Sequence, residues 1–194
     1  MAKEIERQFV VNTKHPEWIK LSKSLPVKRY IQAVLHNQKG SKFRVRLIED
    51  IKTGKKEAAF TFKLDKRSTK DAPNIREEYE WEVPYRVGLY LMVGQGEVHK
   101  LRKTYIHTDG KMWEIDEYEG ANEGIVLADI ELKNINDTID LPEWIGSETT
   151  KLKKITNNSF SLHPFANWSE SEKKWYKDLE TRNEETIKQY KTKK

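Results

Sequence analysis

The chain contains no cysteine in 194 residues, which excludes disulfides and any thiolate metal centre. It has no long apolar run, and the stretch from Lys3 to Gln8 is charged where a leader peptide would carry an apolar core. Neither secretion nor a membrane span is therefore expected, and the protein reads as cytoplasmic with no membrane partner. Basic residues are plentiful but do not run together beyond the short Lys191, Lys193, Lys194 tail, so a nucleic-acid-binding arm is not expected. The five histidines, at positions 15, 36, 99, 107 and 163, lack H-x-x-x-H or similar ligand spacing. Gly94-x-Gly96 has no third glycine and no strand-to-helix setting, so it stops a helix rather than binding a dinucleotide. There is no G-x-S-x-G nucleophile elbow, internal repeat or low-complexity segment.

What is present is enough to fold. Hydrophobic residues make up 36%, with six Trp and eight Tyr, in a chain long enough to bury one substantial core. Charged residues reach 35%, but 36 basic residues nearly offset 31 acidic ones and the net charge is +5. A pI near 9.1 mildly favours anionic partners.

The pattern of those charges is more informative than their sum. From Lys3 to Val11, Ile5, Phe9 and Val11 alternate with Glu4, Glu6 and Gln8, which predicts a strand with one apolar and one acidic face. Residues two apart on a strand lie about 7 Å from each other, so paired carboxylates could grip or water-bridge one divalent cation. Further strands are predicted at Arg29 to His36, Lys42 to Leu47, Ala59 to Leu64, Arg76 to Val83, Val98 to Ile106, Lys111 to Glu119 and Ile125 to Leu132. Turns at Thr53-Gly54 and Asp109-Gly110 separate some of them. Pro16 opens a short amphipathic helix through Trp18, Ile19, Leu21 and Leu25, and Pro84 opens another through Val87 to Met92. The stretch from Asn134 to Ser161 reads as irregular turns and short helix. Ser169-x-x-Glu172 is a capping box opening a highly charged C-terminal helix.

Eight strands, each with one charged face, would describe any antiparallel sheet with one wet side. The charged faces, however, are nearly single-signed in turn. Glu4 and Glu6 are followed by Arg44 and Arg46, then Lys63, then Glu78, Glu80 and Glu82, then Lys100 and Arg102, then Glu114 and Asp116, and finally Asp129 and Glu131. A closed barrel with its charged faces inward would gather these strips around a wet lumen. Two cations about 8 Å apart repel by about 2 kcal/mol at an effective dielectric near 20, so five facing inward call for a polyanion among them. The acidic strips would hold its accompanying metal.

In this order the motifs resemble those of the CYTH superfamily, the triphosphate tunnel metalloenzymes. Glu4-Ile5-Glu6-Arg7-Gln8 is similar to the family's opening E-x-E-x-K. Arg44-x-Arg46, Thr61-Phe62-Lys63, Glu78-x-Glu80, Lys100-x-Arg102, Glu114-Ile115-Asp116 and Asp129-Ile130-Glu131 follow its strand motifs over about the first 135 residues. Leu141 to Gly146 and Asn158 to Phe165 resemble the tail of the bacterial inorganic triphosphatase-like branch. The resemblance implies an α+β fold, an eight-stranded antiparallel β-barrel tunnel with surface helices and a C-terminal helix. Residues 1–166 would form the tunnel domain and 167–194 a charged helical extension. It further implies Mg²⁺ or Mn²⁺ held by Glu4, Glu6 and Glu131 together with Asp129, and a triphosphate bound by Arg44, Arg46, Lys63, Lys100 and Arg102. Glu4, Glu6, Lys63 and Glu131 would carry the catalysis, and Glu78, Glu80 and Asp116 would orient the bases or hold a further metal.

The expected activity is metal-dependent hydrolysis of a small triphosphate, inorganic triphosphate ahead of nucleoside triphosphate; the only nucleic acid implied is an RNA 5′-triphosphate end. The alternatives are a class IV type adenylate cyclase making cyclic AMP from ATP, and a catalytically impaired protein that binds polyphosphate or nucleotide. Two departures bear on rate: Gln8 stands where the family has lysine, and Val34 stands at the aromatic position of a Q-x-Y pattern beginning at Gln32. The sequence does not set the oligomeric state.

Overall fold

The computed structural model describes residues 2–38, 40–65, 75–134 and 137–190, with residues 2–4, 65, 75 and 76 described by their backbone alone. The lysine tail from Lys191 lies outside these residues. Every strand pairing is antiparallel. The strands are β1 (Ala2–Val11), β2 (Val27–Gln38), β3 (Ser41–Asp50), β4 (Lys56–Asp65), β5 (Ile75–Val83), β6 (Glu97–Ile106), β7 (Met112–Tyr118), β8 (Val126–Leu132) and β9 (Ile145–Glu148). They run in the order β5-β4-β3-β2-β6-β7-β8-β1-β9, and β1 also pairs with β5. Among the described residues the sheet thus has nine strands, not the expected eight. The added strand has four residues, one of them Gly146, too few for alternation to declare itself; it pairs with β1 where that strand bulges between Phe9 and Val11.

The two predicted helices are α1 (Pro16–Leu21) and α2 (Tyr85–Met92). Both lie on the apolar side of the sheet. Trp18 of α1 joins Phe9, Val11, Trp113, Ile115, Ile130 and Trp144 in one buried cluster, and Met92 of α2 joins Ala33, Val45, Leu47 and Ala58 in another. Gly88 lets α2 lie close to the sheet: a Cβ there would meet Leu47 Cδ2 at 2.7 Å and the Ala58 Cβ at 2.8 Å.

The charged side of the sheet is not charged throughout. Two residues after Gln8 and Asp116, and two before Lys100 and Asp129, the same faces carry Val10, Tyr118, Val98 and Leu127. These four pack with Ile125, Ile155, Phe160, Phe165, Trp168 and Tyr176. The chain after β9, including α3 (Asn157–Leu162), therefore covers one end of the charged face. In place of a single C-terminal helix there are two, α4 (Glu170–Asp178) with the expected capping box and α5 (Glu184–Gln189) capped by Asn183. The break is fixed by Arg182, whose Nε donates to the Ile145 carbonyl at 2.8 Å and whose Nη2 donates to those of Leu141 and Pro142. Tyr176 of α4 both donates to the Val126 carbonyl and accepts from its N–H. Among the described residues no helix is long and apolar enough to cross a membrane.

Candidate active site

A cavity of about 470 Å³ opens on the charged face, and the expected site residues apart from Glu4 and Asp116 line it; Asp116 lies behind Lys100 and Arg102, paired with both. Glu4 lies on β1, with its side chain outside the described residues. The alternation of β3, β4 and β6 brings Arg44, Arg46, Lys63, Lys100 and Arg102 to the cavity, joined by Lys42, which the sequence reading passed over. Opposite them, β1 and β8 place Glu6 against Glu131 and Gln8 against Asp129 in register. Thr150, Ile155, Thr156 and Asn157 complete the lining. They come from the stretch read as irregular, where the only legible signal was the Thr156 cap of α3, which accepts from Ser159 N–H at 3.1 Å.

The cations are held in two different ways. On β6, Lys100 pairs with Asp116, while Arg102 grips both oxygens of Asp116 at 2.7 Å and also pairs with Glu114. On β3 the pairing is looser: Arg44 lies 3.4 Å from Glu78 and 4.0 Å from Glu80, and Arg46 lies 3.8 Å from Glu80. Lys63 sits 2.5 Å from Glu78. The Nε atoms of Arg44 and Arg46 are buried without a hydrogen-bond partner among the described residues. On β2, the ring of Tyr30 has the guanidinium carbons of Arg46 and Arg102 at 5.3 Å and 5.2 Å from its centroid. The sequence reading did not single this residue out.

Burial and crowding strain both signs of charge. Burial, then Arg46, lowers Arg44 to about 9. Burial lowers Lys100 to about 8 despite the opposing pull of Asp116. Asp116 itself is held below the usual carboxylate range, because Arg102 and Lys100 outweigh the burial that would raise it. Asp129 is pushed well up by burial, then by Glu6 and Asp116, and its Oδ1 has no hydrogen-bond partner among the described residues. Burial, then Glu114, Glu6 and Glu78, also raises Glu131. A bound anion would relieve the first group and a bound cation the second. Among the described residues no three His, Asp or Glu side chains are grouped to hold an ion by themselves.

No family model matches the sequence. Over 173 residues, 88% of this chain and all of the relative, it is 31% identical to a protein named inorganic triphosphatase from Acetivibrio thermocellus. The chain belongs to the CYTH superfamily. Its fold is that of solved structures of the superfamily: the inorganic triphosphatase NE1496 superposes with a TM-score of 0.54 at 22% identity, over 84% of this chain and 96% of that one. A second structure of NE1496 gives the same TM-score at 23% identity. Gln8, where the superfamily signature has lysine, is tied on three sides in this chain. Its N–H donates to Thr150 Oγ1 at 3.0 Å, its carbonyl accepts from Thr149 N–H at 2.7 Å, and its Oε1 accepts from Thr149 Oγ1 at 3.1 Å.

Proposed function

We propose that this CYTH protein hydrolyses a linear triphosphate, inorganic triphosphate ahead of nucleoside triphosphate, with Mg²⁺ or Mn²⁺ as cofactor. The observation that carries this reading is the convergence of Arg44, Arg46, Lys63, Lys100 and Arg102 on one cavity opposite Glu6, Asp129 and Glu131. The name of the Acetivibrio thermocellus relative supports it. The cavity would lie in a tunnel made by the first eight strands. Pairing of β1 with β8 through residues 5–10 and with β5 through residues 2–5 supports that closure, with β9 outside the ring.

The carboxylates suit a hard divalent cation, which takes oxygen donors. Asp129 has an oxygen without a hydrogen bond among the described residues, and Asp129 and Glu131 are crowded by like charge that a cation would offset. Glu4, Glu6, Asp129 and Glu131 would hold it; when bound, such an ion neutralises phosphate charge and acidifies a coordinated water. The chain's own residues do the rest. Arg44, Arg46 and Lys63 can exchange their carboxylate partners for phosphate oxygens, while Lys100 and Arg102, fixed by Asp116, present charge that needs no rearrangement as the phosphoryl group transfers. Gln8 would supply an amide where the superfamily's E-x-E-x-K motif has an ammonium. Turnover below that of a lysine-bearing relative is the expected consequence, since one preorganised donor can be worth about 3 to 4 kcal/mol.

The test is to incubate the full chain with tripolyphosphate or ATP and Mg²⁺, Mn²⁺ or chelator, scoring products separately. Orthophosphate released only with metal is the expected result, and Gln8→Lys should raise it at saturating substrate. Pyrophosphate with cyclic nucleotide from ATP would establish a cyclase instead. Binding without turnover in either protein would establish a sequestering role.

A further inference from the structure

Arg46 points into the cavity with little to hold it. Its one ion pair among the described residues is the 3.8 Å approach to Glu80, a side chain 45% exposed that already accepts from Thr61 Oγ1 at 2.8 Å. Its Nε is buried and without a hydrogen bond among the described residues. What remains is the ring of Tyr30. On β2, Tyr30 stands opposite Ile48 of β3 and Lys100 of β6, while Arg46 stands opposite Gln32 and Arg102 opposite Lys28. Each arginine is thus one diagonal step from Tyr30, on either side of its strand, within reach of an aromatic side chain. The measured centroid distances, 5.3 Å and 5.2 Å, fall inside the range in which a ring attracts a guanidinium. Arg102 would keep its place without the ring because Asp116 holds it at two points. Arg46 would not.

We propose that Tyr30 is a positioning residue that aims Arg46 at the anion, using its ring as a shared partner between the cations of β3 and β6. This rests on the cavity binding a triphosphate, but the placing of Arg46 can be read without substrate. The distinction matters because a ring holds a cation without neutralising it. A carboxylate in the same place would fix Arg46 equally well and cancel the charge that the phosphates need.

The test uses the full chain as wild type, Tyr30→Phe, Tyr30→Leu, Arg46→Ala and the Tyr30→Leu/Arg46→Ala double variant. Tyr30→Phe should stay within about twofold of wild type in KM for tripolyphosphate, and Tyr30→Leu should raise KM about tenfold with a smaller change in kcat. The double variant should be no worse than Arg46→Ala, since the ring acts through that side chain. Independently of any substrate, the Arg46 Nε–Hε resonance in ¹⁵N spectra should be sharp and distinct in wild type and Tyr30→Phe, and exchange-broadened in Tyr30→Leu. Change in that resonance in an inert protein would sink the triphosphate reading and leave the positioning role standing. A Tyr30→Leu effect fully additive with Arg46→Ala, or an unchanged Arg46 resonance, would overturn the proposal.

Discussion

The two basic walls of the cavity are built on opposite principles. On β6 and β7, Lys100, Arg102 and Asp116 form a buried knot in which each charge is satisfied by protein. On β3 to β5, Arg44 and Arg46 keep longer distances to Glu78 and Glu80, and their Nε–H groups have no partner among the described residues. A knot of the first kind fixes geometry and offers a ligand charge that does not rearrange. Loose pairs of the second kind give up little when phosphate oxygens replace the carboxylates. On the proposed function, the first wall would serve as scaffold and the second as capture.

The largest effect should come from the carboxylates of β1 and β8, on which both walls depend. Glu6→Gln keeps shape on a strand whose packing face is untouched, and should abolish metal-dependent phosphate release while leaving the melting temperature near that of wild type. Substantial residual turnover would remove Glu6 from the metal set. Next, the walls should differ in stability. Asp116→Ala strands Lys100 and Arg102 without their shared partner and should cost about 3 to 5 kcal/mol in urea unfolding. Glu80→Gln, at a 45% exposed position, should cost less than about 1 kcal/mol. Equal costs would erase the contrast. For binding the ranking reverses: Arg46→Ala should weaken tripolyphosphate binding about tenfold or more, and the remaining affinity should depend less on salt. Arg102→Ala should weaken binding as well and also lower the melting temperature.

The smallest effect is a pH dependence. Burial, then Arg102 and Arg46, lower Lys100 to about 8 against the pull of Asp116, so its charge is present below that pH and lost above it. A bound polyanion favours the protonated form, so affinity should be steady below about pH 8 and fall in the window above it. Calorimetric titrations across that window should show the decline, and Lys100→Met should remove the part that Lys100 contributes.

The strands and most of the cavity lining were legible because alternation and sign travel together: Arg44 and Arg46, or Asp129 and Glu131, mark one face of one strand without knowledge of any other residue. What was illegible depends on pairing across the fold. The four residues of β9 have no pattern of their own, and Gly146 reads as a turn until Leu179 and Glu180 are seen packed against it, where a Cβ would meet their carbonyl oxygens at 2.5 Å and 2.7 Å. Val10, Tyr118 and Leu127 were visible as apolar positions on otherwise charged faces, but their partners Trp168 and Tyr176 lie in the distant, highly charged C-terminal stretch. Tyr30 belongs to no motif. Its role depends on two arginines that become its neighbours only when β3 and β6 pair on either side of β2.

The most direct test of capture by the loose wall is the melting temperature of the full chain with and without tripolyphosphate, for wild type and for Arg44→Ala/Arg46→Ala. Ligand at about 100 times its dissociation constant adds about 2.7 kcal/mol to the folded state, which for a domain of this size is a rise of about 5 to 10 °C. The expected result is that rise in wild type and little or none in the double variant. No rise in wild type, or an equal rise in both proteins, would contradict it.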